Sequence, residues 1–508
     1  MYADVYTGNL TLLNGCVPPL SLEMPPTGPS LVTKASNISI YNGVPMITNE
    51  ATAYLDLHQV YGPSTAINSA LRTFSGGLLL TNNYYNVTTS PAFVFGFFQY
   101  GDSAGPYNCI DCPPSWGQTG GAAPVNPLLN PTLSGGLIGP NQVFVSGDPR
   151  VGENGALTMF HTLFIRNHNR HAGIVASENP TWNDEAIFQE ARRRNIAEYQ
   201  AVVIYQYFPT EFGPFFNDLL GPYAGYDECL DVDTNIAFSS AAFRYGHSSF
   251  HNYVPLDSCG NPTLFGQSAF PGDQLFEGAQ TGGPVTPIDV IGEIGTFENL
   301  IRGLINEVTA PNDIMIDDTL RDIPFRVPVP GGTDLLALDI HRGRENGIQN
   351  YAVLQTTYGS HDLRIYGAPG CPEKYAHKSD PDPLSCFTNL VPYNATLAAN
   401  LQSIYTKVNN IDGIVGLMVE PHVDGTSFGY TLVTIITDQY QRARAGDRFW
   451  FENLFQANPF TLAQIASFQA TTMGYLLRQN FDFVDPSQVP NNPYLSPSNY
   501  LFTLGHSC

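Results

Sequence analysis

Basic residues are scarce. The 508-residue sequence holds 22 Lys and Arg against 45 Asp and Glu, a formal charge of −23 at pH 7. A chain of that sign does not take nucleic acid or an anionic membrane as its main partner, and its charge serves solubility. No uninterrupted apolar run is long enough to span a membrane. No basic start followed by an apolar stretch precedes Tyr2, so no secretory signal peptide is visible. Internal repeats and low-complexity domains are absent. Cysteine is limited to Cys16, Cys109, Cys112, Cys229, Cys259, Cys371, Cys386 and Cys508. Cys109 and Cys112 form one CxxC without a second, which argues for a disulfide rather than a zinc site. Cys371 and Cys386 bracket a short polar loop that a disulfide would close.

What is present is helical periodicity between loop-rich stretches. Residues 1–50 are rich in Pro and Gly and read as an irregular N-terminal arm. Residues 63–145 are loop-rich, with a helix expected only around 64–73. The stretch SGDPRVGENGALTMFHTLFIRNHNRHAG (146–173) is the one the rest is organised around. A Gly-Asp-Pro loop carrying Arg150 and Glu153 leads into a helix. Its Leu157, Phe160, Phe164, Ala172 and Val175 make an apolar stripe, and His161 and His168 lie close to it. A second helix is expected over 184–208, with Ile196, Tyr199, Val203 and Tyr207 on one face and Pro209 ending it. A third is expected over 233–255, opened by Asp233 or Thr234 and closed by Pro255. It places Ile236, Ser240, Phe243 and His247 on one face. The stretch LALDIHRGRENG (336–347) sets Asp339 and Arg342 one turn apart. GDRFWFEN (446–453) reads as a helix-to-loop junction around a buried Trp450, and the chain after Pro486 as a loop-like tail.

Six pieces carry a resemblance: DLHQVYG (56–62), GDPRVGE (147–153), HTLFIRNHNR (161–170), FRYGH (243–247), LDIHRGRENG (338–347) and GDRFWFEN (446–453). Together, and in this order, they resemble the animal-type heme peroxidases of the peroxidase–cyclooxygenase superfamily, which includes myeloperoxidase and peroxinectin. The resemblance implies a mainly α fold. It implies one large helical heme peroxidase domain over residues 51–485, with little β structure and long loops, between the arm at 1–50 and a tail at 486–508.

It also implies a site. Arg150 would lie on the distal side of heme b and stabilise charge as peroxide breaks. Glu153 would form an ester to a heme methyl; otherwise it is a carboxylate at a helix N-terminus. His247 matches the axial iron ligand, with His251 its rival one turn on. Asp339 stands where the mammalian enzymes have asparagine and would accept a hydrogen bond from the proximal histidine, more strongly than an amide does. Arg244 and Arg342 match arginines at the heme propionates; otherwise they are salt-bridge partners. Thr52, Tyr54, Asp56 and His58 occupy calcium-ligand positions. His58 stands where serine is usual, and imidazole is a poor calcium ligand. The bland reading of Asp56 is a turn carboxylate.

The expected activity is reduction of hydrogen peroxide with oxidation of a small donor, a halide or a phenol. The family's distal histidine lies upstream of the first histidine here, His58. The expectation is therefore an N-terminally truncated sequence, or a chain partnered by a separate N-terminal fragment carrying that histidine. The alternatives are a catalytically impaired heme-binding or adhesion protein of the peroxinectin kind, and a fatty-acid dioxygenase. The even cysteine count and the Asn-x-Ser/Thr sequons at Asn9, Asn37, Asn86 and Asn394 favour a secreted, disulfide-bonded glycoprotein.

Overall fold

The computed structural model describes residues 38–41, 44–47, 51–83, 94–95, 98–99, 144–148, 155–251, 255–262, 297–317, 320, 335–359, 365, 368–371 and 381–495. The architecture is mainly α. Among the described residues, strands are confined to three two-stranded antiparallel pairs: β1 (Ile38–Tyr41) with β2 (Val44–Ile47), β3 (Asn82–Asn83) with β4 (Val94–Phe95), and β5 (Phe98–Gln99) with β6 (Phe144–Val145). The first pair is a hairpin inside the stretch read as an irregular arm. No helix among the described residues is long and apolar enough to cross a membrane.

Two long helices form the centre. Helix α1 spans Gly155–Glu178, and α2 spans Asp184–Val202 after a short turn. Asn183 starts α2 by accepting the Ala186 N–H at 2.9 Å, which satisfies one of the donors a helix start leaves open. Of the stripe on α1, Phe164, Ala172 and Val175 are each less than 5% exposed, whereas Leu157 and Phe160, near its N-terminal end, are only partly buried. The α1–α2 contact is not purely apolar. Asn167 donates to Asn195 Oδ1 at 2.8 Å and to Glu198 Oε2 at 2.7 Å, and His171 Nε2 bonds Glu198 at 2.8 Å. Buried polar groups so paired cost little and hold the two helices in one register.

The second helix departs from expectation at its end. Pro209 does not terminate it. Val203–Tyr207 widen into a π turn, and Phe208–Glu211 continue as α-helix with Pro209 in the first turn. Proline lacks an N–H and its ring presses on the carbonyl four residues earlier. The wide turn, closed by Phe208 N–H on Val203 O, shifts the register and lets the chain go on.

The Tyr430–Ala445 helix packs on Pro214–Leu220 and on the segment before His247. The junction after it is structural, as expected. Trp450 is 1% exposed and donates to Glu452 at 2.8 Å. Gln200 pins this junction to two other parts of the chain. Its amide donates to Asp447 at 3.1 Å and to Leu55 O at 3.0 Å, and its carbonyl accepts Phe451 N–H at 3.3 Å. Burial pushes the Asp447 carboxyl up to about 6. Cys371 and Cys386 form a disulfide across the loop they bracket.

Candidate functional site

The segment read as one helix over 233–255 is three pieces. Helix α3 is Ile236–Ser240, capped by the Asn235 side chain on Ala237 N–H at 2.9 Å. Ala241 leaves the helical region at φ −138°, ψ −75°. A 3-10 turn follows at Ala242–Arg244, then helix α4 at Gly246–Ser249. Distant parts of the chain grip helix α3 at both ends. Asn235 N–H donates to Gln439 at 2.7 Å, and Ser240 Oγ accepts from Asn346 Nδ2 at 2.8 Å, from the turn after Leu335–Glu345. Arg244 ends the 3-10 turn and His247 lies in α4, and the two side chains reach one acceptor together.

That acceptor is Asp339, on helix α5 (Leu335–Glu345). Its side chain is 0% exposed. His247 Nδ1–H donates to one carboxylate oxygen, and Arg244 Nη1 donates to the other at 2.8 Å. A buried carboxylate with two charged or strongly polar donors is tolerated; with none it would be costly. The bond at Nδ1 selects the tautomer and leaves Nε2 of an imidazole that is 32% exposed with its lone pair available.

The other expected residues are placed as follows. Arg342 is 36% exposed and lies 3.9 Å from Glu345, three residues on. His251 follows α4 and is exposed. Arg150 and Glu153 lie outside the described residues; α1 begins at Gly155, just after them. Tyr245, in the FRYGH motif, is buried in the core, and its hydroxyl meets that of Tyr207 at 3.0 Å.

The loop expected to bind calcium is drawn into local turns. Thr52 Oγ1 accepts Tyr54 N–H at 3.1 Å, and Asp56 Oδ1 accepts His58 N–H at 3.0 Å. Among the described residues no group of three or more His, Cys, Asp or Glu side chains converges as a metal site. The same loop holds residues 146–148, which precede Arg150 in sequence. Ser146 Oγ donates to Gln59 O at 2.8 Å, and Asp148 N–H donates to the same carbonyl at 3.1 Å. His58 Nε2 lies 3.8 Å from Asp148. Between them Gly147 lies so close that a Cβ would come within 2.3 Å of Gly62 N and His58 O. The Gly of GDPR is required by that contact.

His168 is a core residue. Its Nε2–H donates to Gly77 O at 2.9 Å, and its Nδ1 accepts the Tyr61 hydroxyl at 2.9 Å. Burial holds it neutral, lowering it to about 3. His161 Nδ1 bonds the carbonyl of Leu157 at 2.8 Å. Sequence reading missed that Arg244 grips Asp339. The two are 95 residues apart, and no local signal joins them.

Comparison with known proteins bears on this arrangement. A family model described as "Animal haem peroxidase" matches residues 31–109 and 118–493. A peroxidase of Drosophila melanogaster is 28% identical over 486 residues, covering 92% of this chain and 60% of that protein. Peroxinectin A of Dictyostelium discoideum is 29% identical over 408 residues, covering 80% of this chain and 62% of its own length. The chain thus spans about three fifths of the length of these relatives. Among solved structures, peroxidase A of Dictyostelium discoideum superposes with a TM-score of 0.62 at 25% identity, covering 87% of this chain and 70% of that one. A fatty acid alpha-dioxygenase of Oryza sativa, 16% identical with a TM-score of 0.55, shares the fold; the match covers 89% of this chain and 67% of that one.

Proposed function

The chain belongs to the animal heme peroxidase family, and from that premise we propose that it reduces hydrogen peroxide and oxidises a small donor, a halide or a phenol, at a heme held by His247. The observation that carries this reading is the His247–Asp339 pair: a half-exposed imidazole whose Nδ1 is engaged by a buried carboxylate and whose Nε2 can ligate a metal. The surroundings fit the group. Phe243, four residues before His247, is 42% exposed and stacked on Phe238, leaving an apolar face open to solvent in the same short segment. Arg244 Nε is buried without a hydrogen-bond partner in the protein, which suits an arginine that also reaches toward an anionic group.

Heme, when bound, supplies the iron at which peroxide is activated. The chain's residues do the rest. His247 would hold the iron, with Asp339 keeping the Nδ1 proton and enriching the ring's electron density. Arg150 would offer fixed donors to developing negative charge. Glu153 would link to the macrocycle, and Arg244 and Arg342 would hold its propionates. The Cys371–Cys386 disulfide supports a secreted protein.

Titration with hemin tests the reading. The expected result is a saturable Soret band, lost in His247→Ala, and peroxide-dependent oxidation of a chromogenic phenol. No Soret band would end it. A Soret band without turnover would favour the adhesion-type alternative.

A further inference from the structure

The core behind His247 contains a run of tyrosines that the peroxidase chemistry does not use. Tyr245 is buried against Phe212 and Phe428, with ring centroids 5.5 Å and 5.0 Å away. Any such position would accept phenylalanine. The hydroxyl of Tyr245 nevertheless points at the hydroxyl of Tyr207, 3.0 Å away. That contact is the one hydrogen bond either hydroxyl makes among the described residues. Tyr207 in turn lies against Tyr494, with ring centroids 5.0 Å apart. Tyr494 is partly solvent-accessible. At the other end, Tyr245 is two residues from His247, so their Cα atoms are at most about 7 Å apart. Glu211 lies one helical turn past Tyr207, on the same face.

We propose that Tyr245, Tyr207 and Tyr494 relay single oxidising equivalents from the His247 site to the surface, where phenolic groups too bulky for the heme pocket are oxidised. The proposal rests on the peroxidase reading and names a second donor class for it, phenols borne on macromolecules. Hydrogen peroxide is the oxidant. Each equivalent removes one electron from the Tyr245–Tyr207 pair. The phenol proton moves along the O–H···O contact and on to the Glu211 carboxylate. A donor phenol at Tyr494 then returns one electron and one proton. One peroxide and two donor phenols give two waters and two phenoxyl radicals. Burial, which raises the Glu211 carboxyl to about 7, suits it to take and return that proton. The π turn at 203–207 is what brings Tyr207 to this position one turn before Glu211.

The test uses the full chain loaded with heme. One equivalent of peroxide followed by rapid freezing gives a tyrosyl radical by electron paramagnetic resonance, and Tyr207→Phe reduces that signal. Oxidation of a phenol tethered to a soluble polymer falls about fivefold or more in Tyr207→Phe and in Tyr494→Phe, while oxidation of iodide stays within about twofold. Tyr494→Phe changes one partly exposed ring, so it guards against a folding defect in the other variant. Equal polymer-to-iodide ratios in the native chain and both variants overturn the relay. Native chain that binds heme but consumes no peroxide overturns the peroxidase reading instead. In that event a soluble ruthenium photo-oxidant, applied to the heme-free chain, still reads the pair: equal tyrosyl yields with and without the Tyr207 hydroxyl overturn it.

Discussion

His247 and Asp339 form a hydrogen-bonded pair in which the carboxylate is fully buried and the imidazole is 32% exposed. The exposed partner is therefore the one free to act, and the buried one sets its properties. A carboxylate is a stronger acceptor than an amide. Asp339→Asn should raise the iron's reduction potential by roughly tens of millivolts, within the range that proximal hydrogen bonding tunes. Spectroelectrochemical titration of the heme-loaded variant measures this. An unchanged or lower potential would falsify the role given to Asp339.

Arg244 draws on the same carboxylate from the other side, at 2.8 Å. Removing it leaves the full charge of Asp339 to His247. Arg244→Gln should move the potential downward, opposite to Asp339→Asn. It should also cost about 1–3 kcal/mol in stability, because a buried carboxylate loses one of two strong donors. The same titration and a urea melt report both effects. A shift in the same direction as that of Asp339→Asn would show that Arg244 does not act through the carboxylate.

Gly147 and Gly173 make opposite predictions for the same substitution. At Gly147 a Cβ would meet backbone atoms of Gly62 and His58 at 2.3 Å, and backbone cannot step aside cheaply. Gly147→Ala should destabilise by about 1–3 kcal/mol and weaken peroxide turnover, since the loop it anchors leads to Arg150. At Gly173, inside α1 and exposed, nothing lies within 4 Å. Gly173→Ala should stabilise by up to about 1 kcal/mol. Thermal melts of the two variants check the pair. Equal melting points would show that the close approach at Gly147 does not exist in solution.

Glu420 predicts a pH dependence of stability. It is 0% exposed, accepting the Tyr351 hydroxyl at 2.8 Å and Leu432 N–H at 3.0 Å. Burial raises its carboxyl from 4.5 to about 7. The folded state thus keeps a proton that the unfolded state gives up. The corresponding stability is whole below pH 4.5 and is lost as the pH rises to about 7. The loss is roughly 1–3 kcal/mol. Glu420→Gln should flatten the slope of urea stability against pH across that window. Parallel slopes in native and variant chains would sink the assignment.

Much of this was legible before any fold. Periodicity marked α1 and α2, because an apolar stripe at helical spacing must be buried somewhere. Matching motifs pointed to His247 and Asp339 as partners, and the structure brings them together. Trp450 read correctly as core. Other features were not legible. The break at Ala241 and the grip of Asn346 and Gln439 on the helix before it are announced by no local pattern. The π turn before Pro209 reversed the usual meaning of that residue as a stop. His168 carried the same look as a ligand histidine, and only its enclosure between Tyr61 and Gly77 made it neutral core.

The amino-acid order by itself determined that α1 and α2 are helical and to which family the chain belongs. Tertiary structure alone decided that Arg244 and His247 share one carboxylate, that Gly147 has no room for a side chain, and that Tyr207 meets Tyr245. The reason is one of range. Periodicity, caps and motifs act over a few residues, whereas those three contacts join positions 38 to 95 residues apart, and packing sets them.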